Sequence, residues 1–313
     1  MQFRSRTLLS ITSLTAICVW ASLSGCRTAC ADELADAKRH WKEYANRLVD
    51  FEVEWTYLSQ IEGITNGEYV KLPDTVLTGV FAQSRVESLR FDQVRNIAAF
   101  DESVGVANDR YHFILRKHPT LSGSQYLLMT AGDKPAEDAG RTSPADLLVL
   151  AGVAAVPFSV KPFPLSDLFD EKKFSISNIV TTDIGLRING SVAPDKGSLN
   201  GIPASAQCTF ETSRAHDHLL SVFHYTIATP NSNAVVKVEQ RNSYPEQRPT
   251  AGWFPSSVVC TRQVTESDKL VGKDVEQFEI KYIGERRGPR ERYYLPYYGI
   301  KEEDVAVLKR PTK

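Results

Sequence analysis

A Gly-x-Ser-x-Gly elbow, a His-Glu-x-x-His pair and a Gly-rich phosphate loop are all missing from this 313-residue sequence. Their absence excludes the motif-defined hydrolases, zinc peptidases and P-loop enzymes, and leaves only active sites assembled from residues far apart in the chain. Charge of one sign is missing too. With 37 Lys+Arg against 38 Asp+Glu, the formal net charge is -1, so no global field favours nucleic acid or an anionic membrane, and nucleic acid is not an expected partner. Nothing implies a cofactor. There is no fixed-period repeat and no low-complexity linker. What remains, 42% hydrophobic and 24% charged residues, is the balance of an ordinary globular protein able to bury a full core.

The first segment is an address. Arg4 and Arg6 precede a mostly apolar stretch from Leu8 to Leu23, and no acid occurs before Asp32. This is the charge-then-apolar layout of an export signal, and the stretch is too short and too rich in hydroxyls for a membrane span of about 20 apolar residues. It closes with Leu23-Ser24-Gly25-Cys26, which resembles the lipobox of bacterial lipoproteins. The resemblance implies removal of residues 1–25, lipidation of Cys26, residues 26–31 as a tether to the membrane, and location at the cell envelope. Arg27 and Thr28, rather than an Asp, follow the cysteine, which favours the outer membrane with the protein facing the periplasm. A second pattern, Ala29-Cys30-Ala31, fits ordinary signal peptidase and gives a soluble periplasmic or secreted protein starting at Asp32.

Cysteine is scarce. Of five, Cys208 and Cys260 alone fall in the body of the mature chain. In an oxidising compartment they are candidates for a disulfide, and the other reading is two buried thiols that never meet.

From Asp32 to Leu48, apolar residues recur at intervals of three and four with charges between them, which predicts an amphipathic helix packed on the domain's own sheet. The period then switches to two at Phe51, Val53, Trp55 and Tyr57. Further strands are expected at Thr75–Gln83, Arg85–Arg95, Arg110–Lys117, Ser124–Ala131, Phe174–Thr182, Ser205–Ser213, Leu219–Ala228, Ala234–Arg241, Phe254–Val264 and Val275–Ile283. Ser143-Pro144-Ala145-Asp146 has the chemistry of a helix start, and it opens the apolar run Leu147–Val156, read as a buried central helix that Pro157 ends. One helical turn is expected at Leu165–Phe169. The expected fold class is therefore α+β and mostly antiparallel, in one β-rich domain over residues 32–300 with a C-terminal tail at 301–313.

This order of elements resembles the periplasmic lipoprotein carriers of Lol type. The resemblance implies a strongly curved open sheet, a half-barrel, whose helix-covered face holds acyl chains. It places Phe158, Phe163, Leu168 and Phe169 at the mouth of a hydrophobic cavity, with simple core capping as the other reading. The segment Tyr293-Tyr294-Leu295-Pro296-Tyr297-Tyr298-Gly299-Ile300, and Gly252-Trp253-Phe254-Pro255 upstream, are similar to segments of uncharacterised secreted bacterial proteins and imply no activity.

Two constellations are set aside. His216-Asp217-His218 with His224 offers a metal two ligands from one strand edge, but no third ligand has diagnostic spacing, so a solvated turn and no metal are expected. Arg286-Arg287-Gly288-Pro289-Arg290-Glu291-Arg292 has forks suited to phosphate, but Glu285, Glu291, Glu302 and Glu303 nearly balance it, so a solvated turn is expected here as well. The functional expectation is an exported envelope lipoprotein that binds a lipid or lipidated peptide non-covalently. The competing one is a membrane-anchored structural or protein-interaction module using exposed C-terminal tyrosines. No catalytic residue is named.

Overall fold

The computed structural model describes residues 31–44, 50–65, 68–99, 101–117, 125–133, 152, 154–155, 163–193, 198–199, 202–203, 205–228, 233–245, 247–248, 252–286 and 288–305. Phe158 and residues 1–30, which include the segment read as an export signal and Cys26, lie outside these residues.

Alternation of side chains builds one large antiparallel sheet from fourteen strands. In chain order these are β1 (Asp50–Thr65), β2 (Glu68–Lys71), β3 (Thr75–Ser84), β4 (Leu89–Asn96), β5 (Asp101–Ala107), β6 (His112–Lys117) and β7 (Leu127–Gly132), followed by β8 (Phe174–Thr181), β9 (Leu186–Val192), β10 (Gln207–Ser213), β11 (Leu219–Ala228), β12 (Ala234–Ser243), β13 (Ser257–Glu266) and β14 (Lys269–Gly284). Across the sheet the order is β8-β9-β10-β11-β12-β13-β14-β1-β3-β4-β5-β6-β7, with β2 added to the far end of β1. The path does not close, as expected of an open α+β sheet. Its centre is the pairing of the first strand with the last: β1 runs beside β14 from Glu52↔Gly284 to Gly63↔Gly272, and beside β3 from Asp50↔Ser84 to Ser59↔Thr75.

Two cores form on opposite faces of this sheet. Phe81 and Ala82 are neighbours on β3, so their side chains point to opposite sides; Phe81 belongs to one apolar cluster and Ala82 to the other. The larger cluster spans β8 to β4 and receives the helix α1, residues 31–44, through Ala37, Trp41 and Tyr44. Trp41 fixes the helix further by donating from Nε1 to the His218 carbonyl at 2.7 Å. On this face Trp55 lies over Gly79, where a Cβ would meet the indole at 2.1 Å, and Phe174 lies over Gly190 in the same way at 2.4 Å. Each glycine makes room on its strand for a ring from the next one.

The smaller cluster gathers Leu89, Phe91, Val104, Val106, Phe113 and Leu115 from β4 to β6, covered by Tyr293 and Leu295. The covering segment has no long helix. It is a chain of short 3-10 turns at Arg290–Tyr293, Leu295–Tyr298 and Glu302–Asp304. Glu302 takes two hydrogen bonds from Arg110, at 2.8 and 3.1 Å, and one from the Tyr111 hydroxyl at 2.5 Å. The expected tail from 301 is therefore docked as far as Val305, which is itself buried.

The middle of the chain departs from expectation. Within the run read as a buried central helix, Ala154–Ala155 is a strand pair with Phe163–Pro164, and Gly152 sits at φ 74. The rest of that run lies outside the described residues. The polar side chains beneath explain the extended form. The buried Gln240 amide donates to the Ala154 carbonyl at 3.4 Å and to Oδ1 of the buried Asn242 at 2.9 Å. The Leu220 amide donates to the Gly152 carbonyl at 2.8 Å. These bonds require backbone carbonyls turned toward the sheet, which a helix keeps for its own ladder. The helical turn expected at Leu165–Phe169 is present as a 3-10 turn.

Candidate functional site

The larger core is not uniformly covered. Cross-strand pairing aligns its side chains in rows, and the row Phe210–Phe223–Gln240–Cys260–Glu276–Ser59 changes character along its length. It is fully buried from Phe210 to Cys260 and half-buried at Glu276. The next row outward runs Cys208–Tyr225–Val238–Arg262–Asp274–Ile61, buried to Val238 and then open, with Ile61 43% exposed. Beyond it Ile227, Val236 and Val264 form a half-buried apolar floor. The core face thus runs out from under its cover over β13, β14 and β1.

A small polar group sits where apolar floor and solvent meet. The Tyr57 hydroxyl donates to Glu276 Oε1 at 2.9 Å, and Arg262 pairs with Asp274 at 2.7 Å. Burial raises the Glu276 carboxyl above the ordinary carboxylate range and Asp274 adds to this, while the Tyr57 hydrogen bond and Arg262 oppose it. Burial raises the Tyr57 hydroxyl as well, and Glu276 reinforces the effect. Chemically this edge can accept an apolar chain on its floor and a polar or charged head at Glu276, Asp274 and Arg262.

The residues expected at a cavity mouth are elsewhere. Phe163 and Leu168 are fully buried, and Phe163 stands in a ring cluster with Phe174 and Phe210 at centroid distances of 5.8 and 5.7 Å. Phe169 is half-buried under α1, stacked on Trp41 at 6.0 Å, with the Lys38 ammonium 3.9 Å from its ring. Phe163 and Leu168 are part of the larger core, and Phe169 packs against it.

The disulfide candidates do not meet. Cys208 on β10 and Cys260 on β13 are separated by β11 and β12, which puts their backbones roughly 14 Å apart at strand spacing, well beyond the reach of a disulfide. Both side chains are buried thiols. Burial pushes Cys208 up to about 12 and raises Cys260 also, there with help from Glu276. Neither has the lowered pKa of a reactive thiol.

The two constellations set aside as solvated turns are packed. Asp217 and His218 both have positive φ, 52 and 58. His216 stacks on Tyr244 at 4.9 Å and meets the edge of Trp253 at 4.5 Å, and His218 is buried beneath α1. Desolvation lowers the pKa of both imidazoles. Among the described residues no group of three side chains could hold a metal. In the arginine run, Arg292 is buried between the rings of Phe91 and Tyr293, at 4.4 and 5.3 Å, and pairs with Glu52 at 2.6 Å. Arg286 pairs with Glu87. Of the neighbouring tyrosines, Tyr293 is fully buried and Tyr297 is 55% exposed.

Nothing in local sequence marks the Tyr57–Glu276 edge. The available signal was the persistence of alternation past Tyr57 through Ser59 and Ile61, longer than one core needs.

The sequence matches no protein-family model and no curated protein. Among solved structures, a DUF1329 family protein from Desulfovibrio piger is similar at 8% identity over 85% of this chain and 99% of that one, with a TM-score of 0.40. The ywiB protein from Bacillus subtilis is similar at 5% identity over 73% and 92%, with a TM-score of 0.17. Likenesses this remote carry nothing about activity.

Proposed function

We propose that this chain is an exported envelope protein, lipidated at Cys26 and anchored in the outer membrane facing the periplasm, that holds an amphipathic ligand non-covalently at the open end of its larger core face. The ligand is a lipid or a lipidated peptide. The observation that carries the reading is the continuity of the apolar rows: Ile227, Val236 and Val264 extend the core beyond its cover and end beside the polar group of Tyr57, Glu276, Asp274 and Arg262. An apolar surface bordered by a few placed polar groups is the usual form of a lipid-binding site. The export signal and the lipobox-like end at Cys26 support the location.

Native mass spectrometry of the protein beginning at Asp32, purified without detergent, tests this. The expected result is a lipid-sized mass that leaves on denaturation and is lost when Val236 is replaced by Asp. A bare protein mass rejects the proposal and favours the anchored interaction module, for which the filled core around Phe163 is the supporting observation.

A further inference from the structure

The opposite face of the same four strands carries a groove of about 430 Å³ over β11 to β14. Its floor is a cross-strand row, Thr226–Lys237–Gln263–Lys273. Lys237 and Lys273 stand one strand to either side of Gln263, so their backbones are roughly 10 Å apart and both ammonium groups can reach the space above its amide. The carboxylates nearby are already engaged. Glu239 accepts two bonds from Arg241, at 2.6 and 3.1 Å, and Glu62, the other cross-strand neighbour of Lys273, accepts from the Tyr69 hydroxyl at 2.6 Å. Asp274 points to the core face and pairs with Arg262. Among the described residues neither Lys237 nor Lys273 has an ion pair. Two like charges thus flank a concave site whose other polar lining groups are the Gln263 amide, the Thr226 and Thr261 hydroxyls, the His224 imidazole and the Glu239 carboxylate that Arg241 holds.

We propose that this groove binds a phosphate-type oxyanion, held by Lys237 and Lys273 across Gln263. Ammonium groups act on phosphate as point charges approached from two sides, and a tetrahedral anion leaves oxygens for the Gln263 amide and the Thr226 hydroxyl. A bound anion also relieves the repulsion of the two lysines. The same chemistry is offered by a phospholipid headgroup and by free phosphate. The inference is independent of the proposed ligand on the core face, since alternating side chains put the two sites on opposite sides of the sheet.

The test measures binding of inorganic phosphate by calorimetry at constant ionic strength, and flotation with phosphatidylglycerol against phosphatidylcholine vesicles. It compares the mature chain with K237Q/K273Q, with Q263E, which sets a carboxylate between the lysines, and with K281Q as control. Circular dichroism checks that each variant is folded. The expected result is at least a tenfold loss of affinity in K237Q/K273Q and in Q263E, with K281Q unchanged. Binding of phosphatidylglycerol vesicles alone identifies a headgroup as the source, and binding of free phosphate identifies a soluble one. Absence of both, or binding that survives in K237Q/K273Q, overturns the proposal.

Discussion

Arg292 shows how much a single side chain does here. Its guanidinium lies near the rings of Phe91 and Tyr293, 4.4 and 5.3 Å from their centroids, and pairs with Glu52, with only 9% of the side chain exposed. Removing it strands a largely buried carboxylate, so R292A is expected to cost about 3–5 kcal/mol in urea denaturation. R292K should recover only part of this, because an ammonium can neither stack as a plane nor present a fork; full recovery by Lys would show that charge alone matters. Glu276 makes the pH-dependent counterpart. Because burial raises its carboxyl pKa, the native state holds this proton more tightly than the unfolded chain. Its stabilising contribution is complete below the unfolded carboxyl pKa and is lost as pH rises through the native one. E276Q keeps an acceptor for Tyr57 and removes the titration. The melting temperature of E276Q minus that of the parent should therefore grow between pH 4 and pH 8, and parallel melting curves would contradict the assignment. Neither role was legible in sequence. The arginine run looked balanced by neighbouring acids, whereas the partner that decides its fate, Glu52, lies 240 residues away.

At the scale of elements, what the sequence shows follows period. Alternation gave β11 at its observed limits, Leu219–Ala228, and the three-and-four spacing gave α1 together with the face it buries. W41A, which removes the central indole of that face and its bond to the His218 carbonyl, is expected to destabilise the protein by about 3–5 kcal/mol while leaving the C-terminal cover in place. Near-ultraviolet circular dichroism and denaturation together measure this. Among the strands that were not anticipated are β5 and β9. The first opens on Asp101-Glu102-Ser103, and the second places Gly190 on its buried side, where Phe174 supplies the missing bulk from the neighbouring strand. A glycine of this kind reads as a turn until the ring that covers it is known. The apolar run before Pro157 misled at Ala154–Ala155 for a related reason: a short apolar run fits a buried strand as well as a helix, and the buried Gln240 amide that bonds the Ala154 carbonyl comes from elsewhere in the chain.

For the whole molecule, the sheet has a cover on each face: α1 and the segments around Phe163 on one, residues 290–305 on the other. Ending the chain at Pro289 should uncover Phe91, Val106, Phe113 and Leu115 together, an exposed apolar patch on a broad antiparallel sheet. Light scattering after size-exclusion chromatography is expected to show self-association of the truncated protein, and a well-behaved monomer would mean that this cover is dispensable. The overall class, antiparallel and open, was legible because it sums many independent alternations. The existence of two cores was not, because a strand such as β1 displays only which residues alternate and not that both of its sides are to be covered.

The pairing of β1 with β14 also orders events in time. Synthesis delivers β1 about two hundred residues before β14, the strand it joins across twelve register positions. The meander from β3 to β7 forms from local hairpins beside β1, and the one from β8 to β14 forms separately, yet they become one sheet only when the last strand arrives. Until then β1 presents an unpaired edge carrying Val53, Trp55 and Tyr57, an invitation to intermolecular pairing. A late, long-range closure at its centre is the expected slow step in folding of this chain, and the interval between the emergence of its first strand and its last is its expected period of greatest vulnerability to aggregation.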